Sequence, residues 1–119
     1  MASVVIETER LTLRVPVPED ADAAAELLGD PEVMRFLGGQ VVPREDVSAV
    51  IEKWLARWTA NRMGPFMIER RDNGRFVGRC GILVWDSRTW RQSSLGEAGE
   101  FAQLEVGWAL VRAHWGRGY

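Results

Sequence analysis

The sequence predicts an α+β domain in which a strand and three helices precede an antiparallel meander. Helical periodicity dominates the chain as far as residue 61, and strand periodicity dominates after Gly64-Pro65. The 119 residues are enough to bury a hydrophobic core without metals or disulfides. We therefore expect residues 1–119 to fold as a single domain.

Local signals mark the first strand and the first two helices. Apolar residues alternate with polar ones from Leu11 to Val15, as in a half-buried strand. The segment from Pro18 to Leu28 has acidic residues in its first turn, which favours a helix there. Asp30 as N-cap, followed by a proline at the first helical position, predicts a short second helix.

The third helix has the strongest pattern in the sequence and runs from Pro43 to about Asn61. Its apolar residues recur in steps of three and four and form one stripe, which predicts packing against the core. These residues are Val47, Val50, Ile51, Trp54, Leu55 and Trp58.

Strand signals follow in the second half of the chain. A strand at Phe66–Ile68 leads through a turn at Arg70–Arg75 into an interior strand from Phe76 to Trp85. The polar segment Asp86–Glu100 predicts a long exposed loop. The last strand runs from about Ala102 to Val111 and alternates between two faces. One face carries Leu104, Val106, Trp108 and Leu110, and the other carries Gln103, Glu105, Gly107 and Ala109.

The composition argues against several classes of function. The net charge of −2 is too balanced for a nucleic-acid-binding surface. No apolar run approaches the roughly 20 residues of a membrane helix, and one His with one Cys cannot supply a zinc cluster. Cys80 is interpreted as a small core residue, with a reactive thiol as the alternative. We therefore expect a cytoplasmic protein without a nucleic acid, membrane or metal partner.

The end of the last strand carries the clearest functional signal. Gly116 and Gly118 lie one residue apart, so the backbone can turn sharply and point successive N–H groups at one spot. Such a nest binds phosphate oxygens, although most triplets of this kind are ordinary turns. His114 precedes the glycines and is interpreted as a loop residue, with a catalytic histidine as the alternative.

Three stretches of the chain together carry a family resemblance. They are residues 8–14 (TERLTLR), residues 30–37 (DPEVMRFL), and residues 105–110 (EVGWAL) followed by 114–119 (HWGRGY). In this order they resemble the opening strand, the second helix, and the fourth strand with the pyrophosphate loop of GNAT acetyltransferases of the ribosomal-protein-alanine type. The resemblance covers nearly the whole chain and implies the acyl-coenzyme A N-acyltransferase fold. It also implies that the chain ends inside the pyrophosphate loop.

The resemblance implies a site for acetyl-coenzyme A beside the last strand. Backbone groups of Leu110 and Val111 would bond the pantetheine arm, amides of residues 115–119 would hold the pyrophosphate, and an arginine would add positive charge. The implied cofactor-binding residues are Leu110, Val111, Arg112, Trp115, Gly116, Arg117, Gly118 and Tyr119. Ala113 departs from the wider superfamily, which has Gln or Arg three residues before the first glycine.

The resemblance also places an acidic residue beside the acceptor. Glu105 is the candidate general base, with a purely structural bond to backbone or water as the alternative. A backbone N–H near Leu110 would stabilise the oxyanion, and the general acid is expected beyond Tyr119. The residues that would shape the acceptor site, with plain packing as the alternative, are Arg35, Phe36, Leu37 and Trp85.

Two functions of different class follow from these expectations. The first is an N-acetyltransferase that moves an acetyl group from acetyl-coenzyme A to a primary amine, with a peptide or protein N-terminus as the acceptor by analogy. The second is a shortened, non-catalytic binding module. Such a module would self-associate as a homodimer or larger assembly through the open edge of its sheet.

Overall fold

A computed structural model describes residues 5–119 of the protein. The strands are β1 (Val5–Glu7), β2 (Leu11–Arg14), β3 (Pro65–Arg70), β4 (Phe76–Asp86), β5 (Arg91–Gln92) and β6 (Ala102–Leu110). The α-helices are α1 (Ala21–Leu28), α2 (Pro31–Met34), α3 (Val47–Asn61) and α4 (Leu95–Ala98). Single 3-10 turns occupy Pro18–Asp20, Arg44–Asp46, Gly99–Phe101 and Arg112–His114. The predicted order of a strand, helices and an antiparallel meander is confirmed, with the short β1 as an addition.

The described strands form one antiparallel sheet. Its order is β1-β2-β3-β4, with the short β5 paired to the end of β4. β6 pairs with β4 from Gly78↔Leu110 to Asp86↔Ala102 and with no other strand of residues 5–119. β6 therefore presents an open edge within this part of the chain.

The main core lies between the sheet and the two longer helices. Met67 of β3 is buried among Ala24 and Leu28 of α1 and Val47 and Ile51 of α3. The predicted apolar stripe of α3 thus faces the sheet, and Trp54 packs against the same cluster. Burial of these side chains is the main stabilising contribution of this layer.

The start of α2 agrees with the sequence prediction. The Asp30 carboxylate accepts the N–H of Glu32 at 3.0 Å, and Pro31 occupies the first helical position. After α2 the chain turns through Gly38 and Gly39, which both have positive φ. Val33 of α2 packs against Ala109 and Val111, so the helix lies beside the end of β6.

The segment from Asp86 to Glu100 is mostly exposed, as predicted, but the prediction that it is one long loop was wrong. The segment contains β5 and α4, and the Asn61 side chain accepts the N–H of Leu95 at 2.8 Å. The Ser94 hydroxyl caps α4 by accepting the N–H of Glu97 at 3.1 Å. Polar side chains therefore fold this segment back onto α3, although its composition is that of a loop.

The two faces of β6 differ in burial towards the C-terminal end of the strand. Ala109 and the following Val111 pack against Leu27 and Val33 on the helical side of the sheet. On the opposite face Leu104, Val106 and Trp108 are 58%, 67% and 68% exposed. We call Leu104, Val106 and Trp108 the open face. The alternation of the sequence assigns these residues to one face of the strand, but it does not reveal that no described element packs over them.

Cys80 lies on the same side of the sheet as the open face. It is half-buried and packs against the cluster of Leu11, Ile68 and Val77, as expected of a small core residue. Burial raises the pKa of its thiol, which disfavours the reactive thiolate.

Candidate functional site

The backbone turns sharply directly after β6. Trp115 (φ −68°, ψ 150°) followed by Gly116 (φ 73°) resembles a type II turn, which needs a positive φ at its second central residue. Gly118 has the same φ of 73°. Both glycines singled out in the sequence are therefore required by the backbone conformation of this loop.

Several N–H groups of this loop have no internal acceptor. The N–H of Trp115 donates to the C=O of Arg112 at 3.0 Å, which closes the 3-10 turn. In contrast, Gly116, Gly118 and Tyr119 donate no backbone hydrogen bond to any residue between 5 and 119. Unpaired amides within one tight loop are suited to an anionic oxygen. We call residues 115–119 the amide loop.

Arg10 fixes the far end of the amide loop. Its Nη1 donates to the C=O of Arg117 at 2.9 Å, and its guanidinium lies over the Tyr119 ring at 4.5 Å. Sequence reasoning gave Arg10 no such role, because the contact joins residues 107 positions apart. The loop is thus held against the start of β2.

The edge of β6 beside the loop offers further hydrogen-bonding groups. The N–H of Val111 donates to Val77 at 2.8 Å, and the register makes Ala109 and Arg79 the next bonded pair. Bonded and non-bonded pairs alternate in an antiparallel ladder, so the backbone groups of Leu110 point away from β4. Its C=O accepts the indole N–H of Trp115 at 2.7 Å. Its N–H is free of partners within the described chain.

Two of the implied cofactor-binding residues are engaged elsewhere. Val111 is buried, and its C=O accepts the N–H of His114 at 2.9 Å. Arg112 donates from Nε to Asp30 Oδ2 at 2.7 Å. Burial works against ionisation of Asp30, but bonds from Arg112 and a backbone N–H hold its pKa below the ordinary value. Neither backbone group of Val111 is free for a ligand, and Arg117 is left as the uncommitted arginine of the loop.

An apolar groove of about 340 Å³ runs between the end of α2 and β6. Its lining residues are Val33, Phe36, Leu37, Trp108, Ala109, Leu110, Trp115 and Gly116. The structure therefore joins predicted acceptor-site residues to predicted cofactor-site residues in one concave surface. Arg35 does not line the groove; it pairs with Glu32 at 3.7 Å and lies over the Phe36 ring at 5.0 Å.

Glu105 and Trp85 lie towards the other end of the same two strands. The register pairs Leu83 with Glu105 and Trp85 with Gln103, which places both predicted residues on one face of the sheet as diagonal neighbours. Gln103, the partner of Trp85, is seven residues from Leu110, which corresponds to about 23 Å along β6 at the rise of a strand. The groove consequently includes neither residue. Glu105 is exposed, and its catalytic role stays a prediction.

Metal and membrane sites receive no support from the described part of the chain. Among residues 5–119, no group of three or more His, Cys, Asp or Glu side chains is arranged to hold a metal ion. Over the same range, no helix has the length and apolar character needed to cross a membrane. The candidate site thus consists of backbone donors, arginine and an apolar groove.

Comparison with solved structures supports the fold. The chain superimposes on an acetyltransferase from Agrobacterium tumefaciens with a TM-score of 0.71 and 27% identity, over 100% of this chain and 61% of that one. A GNAT-family acetyltransferase from Bacillus anthracis gives a TM-score of 0.70 at 21% identity, over 98% and 58% of the two chains. The ribosomal L7/L12 α-N-protein acetyltransferase RimL gives 0.67 at 11% identity, which is a likeness of fold alone.

Sequence comparison gives the same family. An N-acetyltransferase named p20 from Bacillus licheniformis is 32% identical in an alignment of 118 positions that covers 94% of this chain and 57% of that protein. The N-acetyltransferase YoaA from Bacillus subtilis is 26% identical over 97% of this chain and 59% of its own length. This chain therefore spans less than two thirds of the length of these relatives. The family model for the acetyltransferase (GNAT) domain matches residues 10–119, and the chain belongs to that family.

Proposed function

We propose that the protein is an N-acetyltransferase that binds acetyl-coenzyme A along β6 and the amide loop. One observation supports this proposal most strongly. The N–H groups of Gly116, Gly118 and Tyr119 are unpaired, and they lie next to the N–H of Leu110, which points outward from the edge of β6. A pyrophosphate needs several converging donors, and an extended polar arm needs an open strand edge. Both features lie side by side and would fit the two parts of the cofactor.

The chain's own groups suggest how the transfer would be assisted. Bound acetyl-coenzyme A would supply the acetyl group as a reactive thioester. Alternation along β6 turns the N–H groups of Trp108 and Val106 outward, as it does for Leu110, so donors continue along the edge. Such fixed donors suit an oxygen that gains negative charge. Glu105, on the middle of β6, is proposed to accept the proton of the acceptor amine.

The acceptor is proposed to be a primary amine at a peptide or protein N-terminus, as in acetyltransferases of the ribosomal-protein type. Support comes from the three sequence stretches and from the fold shared with RimL, a ribosomal L7/L12 α-N-protein acetyltransferase. Phe36 and Leu37 would contribute to an apolar pocket for the first side chain of such a peptide. One fold serves many acceptors, so the fold alone does not select a peptide, and the groove is the part of the site that would distinguish among amines.

Binding of acetyl-coenzyme A can be measured on this chain by thermal or chemical unfolding. Ligand at about 100 times its dissociation constant should stabilise the fold by roughly 2.7 kcal/mol. Gly116→Ala places a side chain at φ 73°, which costs about 1–2 kcal/mol and should weaken binding roughly tenfold.

Gly99→Ala is the matched control for this measurement. Gly99 has φ 52° and open space where a Cβ would lie, like Gly116, but it lies before Ala102, at the opposite end of β6 from the amide loop. The control should show a comparable strain and unchanged ligand affinity. A cooperative transition that acetyl-coenzyme A does not shift would refute the proposed function.

Self-association is a second candidate, favoured by the open face. Leu104, Val106 and Trp108 form a contiguous apolar surface on a strand whose edge is free among the described residues. Exposed apolar edge strands promote pairing with another chain. A homodimer formed there would cover both the side chains and the ladder groups.

We expect sedimentation of the chain to show a dimer or larger assembly that Val106→Lys converts to monomer. Lysine on an edge strand disfavours pairing because its charge would be buried. Val41→Lys is the control, since Val41 is 44% exposed and does not belong to β6, so the substitution should leave the assembly intact. A monodisperse monomer of the unmodified chain at high concentration would exclude the second candidate.

A further inference from the structure

A cavity separate from the apolar groove lies beside the amide loop. It has a volume of about 390 Å³ and lies between the loop, α1 and the β3–β4 turn. Its lining residues are Glu26, Arg70, Arg75, Phe76, Ala113, His114 and Arg117. Three guanidinium groups and an imidazole therefore share one concave surface with a single carboxylate.

The arginines that line this cavity differ in whether a carboxylate neutralises their charge. Arg70 donates from Nε to Asp72 at 2.9 Å, so its charge is largely balanced. Neither Arg75 nor Arg117 forms a salt bridge with any described residue. Glu26 offsets part of their charge. The cavity retains an excess of positive charge that an anion would neutralise.

His114 supplies an independent observation. The residue is 8% exposed, and its Nδ1 atom is buried without a hydrogen-bond partner among residues 5–119. A buried polar atom without a partner is costly, and an anion in the adjoining cavity that drew the imidazole towards it would remove that cost. The imidazole itself lines the cavity, and it packs edge-on against Tyr119 at 5.9 Å.

The positive charges around His114 disfavour its protonated form and would attract an anion. Burial lowers the pKa of His114, and the positive charges of Arg70, Arg117 and Arg75 lower it further against the opposing charge of Glu26. An anion between these groups would reverse this effect and favour the protonated imidazole. Binding of a dianion should therefore raise the pKa of His114 and strengthen as the pH falls.

We propose that Arg75, Arg117 and His114 form a binding site for a phosphate monoester, and that the group it takes is the 3′-phosphate of coenzyme A. The assignment to the cofactor rests on the proposed function. Arg117 belongs to both sites, because its backbone lies in the amide loop and its side chain lines this cavity. A pyrophosphate held by the loop and a monoester held by the cavity would be neighbours, as they are in coenzyme A.

The single histidine provides a direct spectroscopic readout of the site. Inorganic phosphate, titrated against chloride at equal ionic strength, should shift the imidazole NMR signals of His114 and raise its pKa. Arg75→Gln should weaken this phosphate binding roughly tenfold, as expected for loss of a charged hydrogen bond. Arg71→Gln is the control, because the Arg71 guanidinium binds the C=O of Thr8 at 2.8 Å and does not line the cavity.

Acetyl-coenzyme A and its 3′-dephospho form then identify the source of the phosphate. The complete cofactor should bind roughly tenfold more tightly, and Arg75→Gln should abolish that preference. Equal affinities would overturn the assignment to the cofactor while leaving the proposed function intact. An absent response to phosphate, or equal responses in the two arginine variants, would overturn the site. Failure of both thioesters to bind would refute the proposed function, and the phosphate titration would still decide whether the site exists.

Discussion

Gly78→Ala should lower the free energy of unfolding by about 3 kcal/mol or more, because β4 and β6 approach too closely for a side chain. A Cβ at Gly78 would lie 2.1 Å from the C=O oxygen of Ala109 and 2.8 Å from the Cα of Leu110. Both are backbone atoms, so the clash can be relieved only by moving β6. Since the amide loop begins just after these residues, binding of acetyl-coenzyme A should weaken as well.

Urea-induced unfolding with a ligand titration would measure both consequences of this substitution. Gly96→Ala is the control, because a Cβ there has no neighbour within 4 Å and the residue lies in α4. Alanine is the better helix former, so the control should be neutral or slightly stabilising. If Gly78→Ala lowers the free energy of unfolding no more than Gly96→Ala does, then β4 and β6 can move apart at little cost.

Local patterns predicted most of the secondary structure. The α3 stripe and the Asp30 cap are signals that a few neighbouring residues carry, and the structure contains both elements. The short β5 and α4 within the segment from Asp86 to Glu100 were not predicted, and the start of α4 is bonded to Asn61, which belongs to another helix. Composition alone cannot report such a bond between distant residues.

The amide loop could be predicted from sequence because glycine requirements are local, whereas its surroundings could not. Arg112 contacts Asp30, 82 residues away, and Arg10 contacts Arg117, 107 residues away. Because of these contacts, Arg117 rather than Arg112 has a guanidinium without a carboxylate partner, and the amide loop is anchored at the start of β2. The alternation along β6 likewise identified two faces, but only the tertiary structure shows which one the helices cover.

Arg14→Met should destabilise the fold by about 3 kcal/mol, because it leaves a buried carboxylate without its cation. Arg14 binds both oxygens of Asp20 at 2.9 and 2.7 Å and also donates to Glu69 at 2.6 Å. The Asp20 side chain is only 8% exposed. Arg44→Met is the control: Arg44 binds Asp22 at 2.6 Å, but both side chains are exposed, and its loss should cost less than about 1 kcal/mol.

The pH dependence of unfolding separates this ion pair from simple packing. Burial alone would raise the pKa of Asp20, but hydrogen bonds from Arg14 and the N–H of Val17 outweigh it and hold the pKa below its ordinary value. The folded state therefore binds this proton more weakly than the unfolded state, and the stabilisation is lost as pH falls through the folded pKa. The stability gap between wild type and Arg14→Met should thus be full near pH 7 and shrink towards about pH 3. A gap that is equal at both pH values would show that Arg14 contributes through its aliphatic stem rather than through its charge.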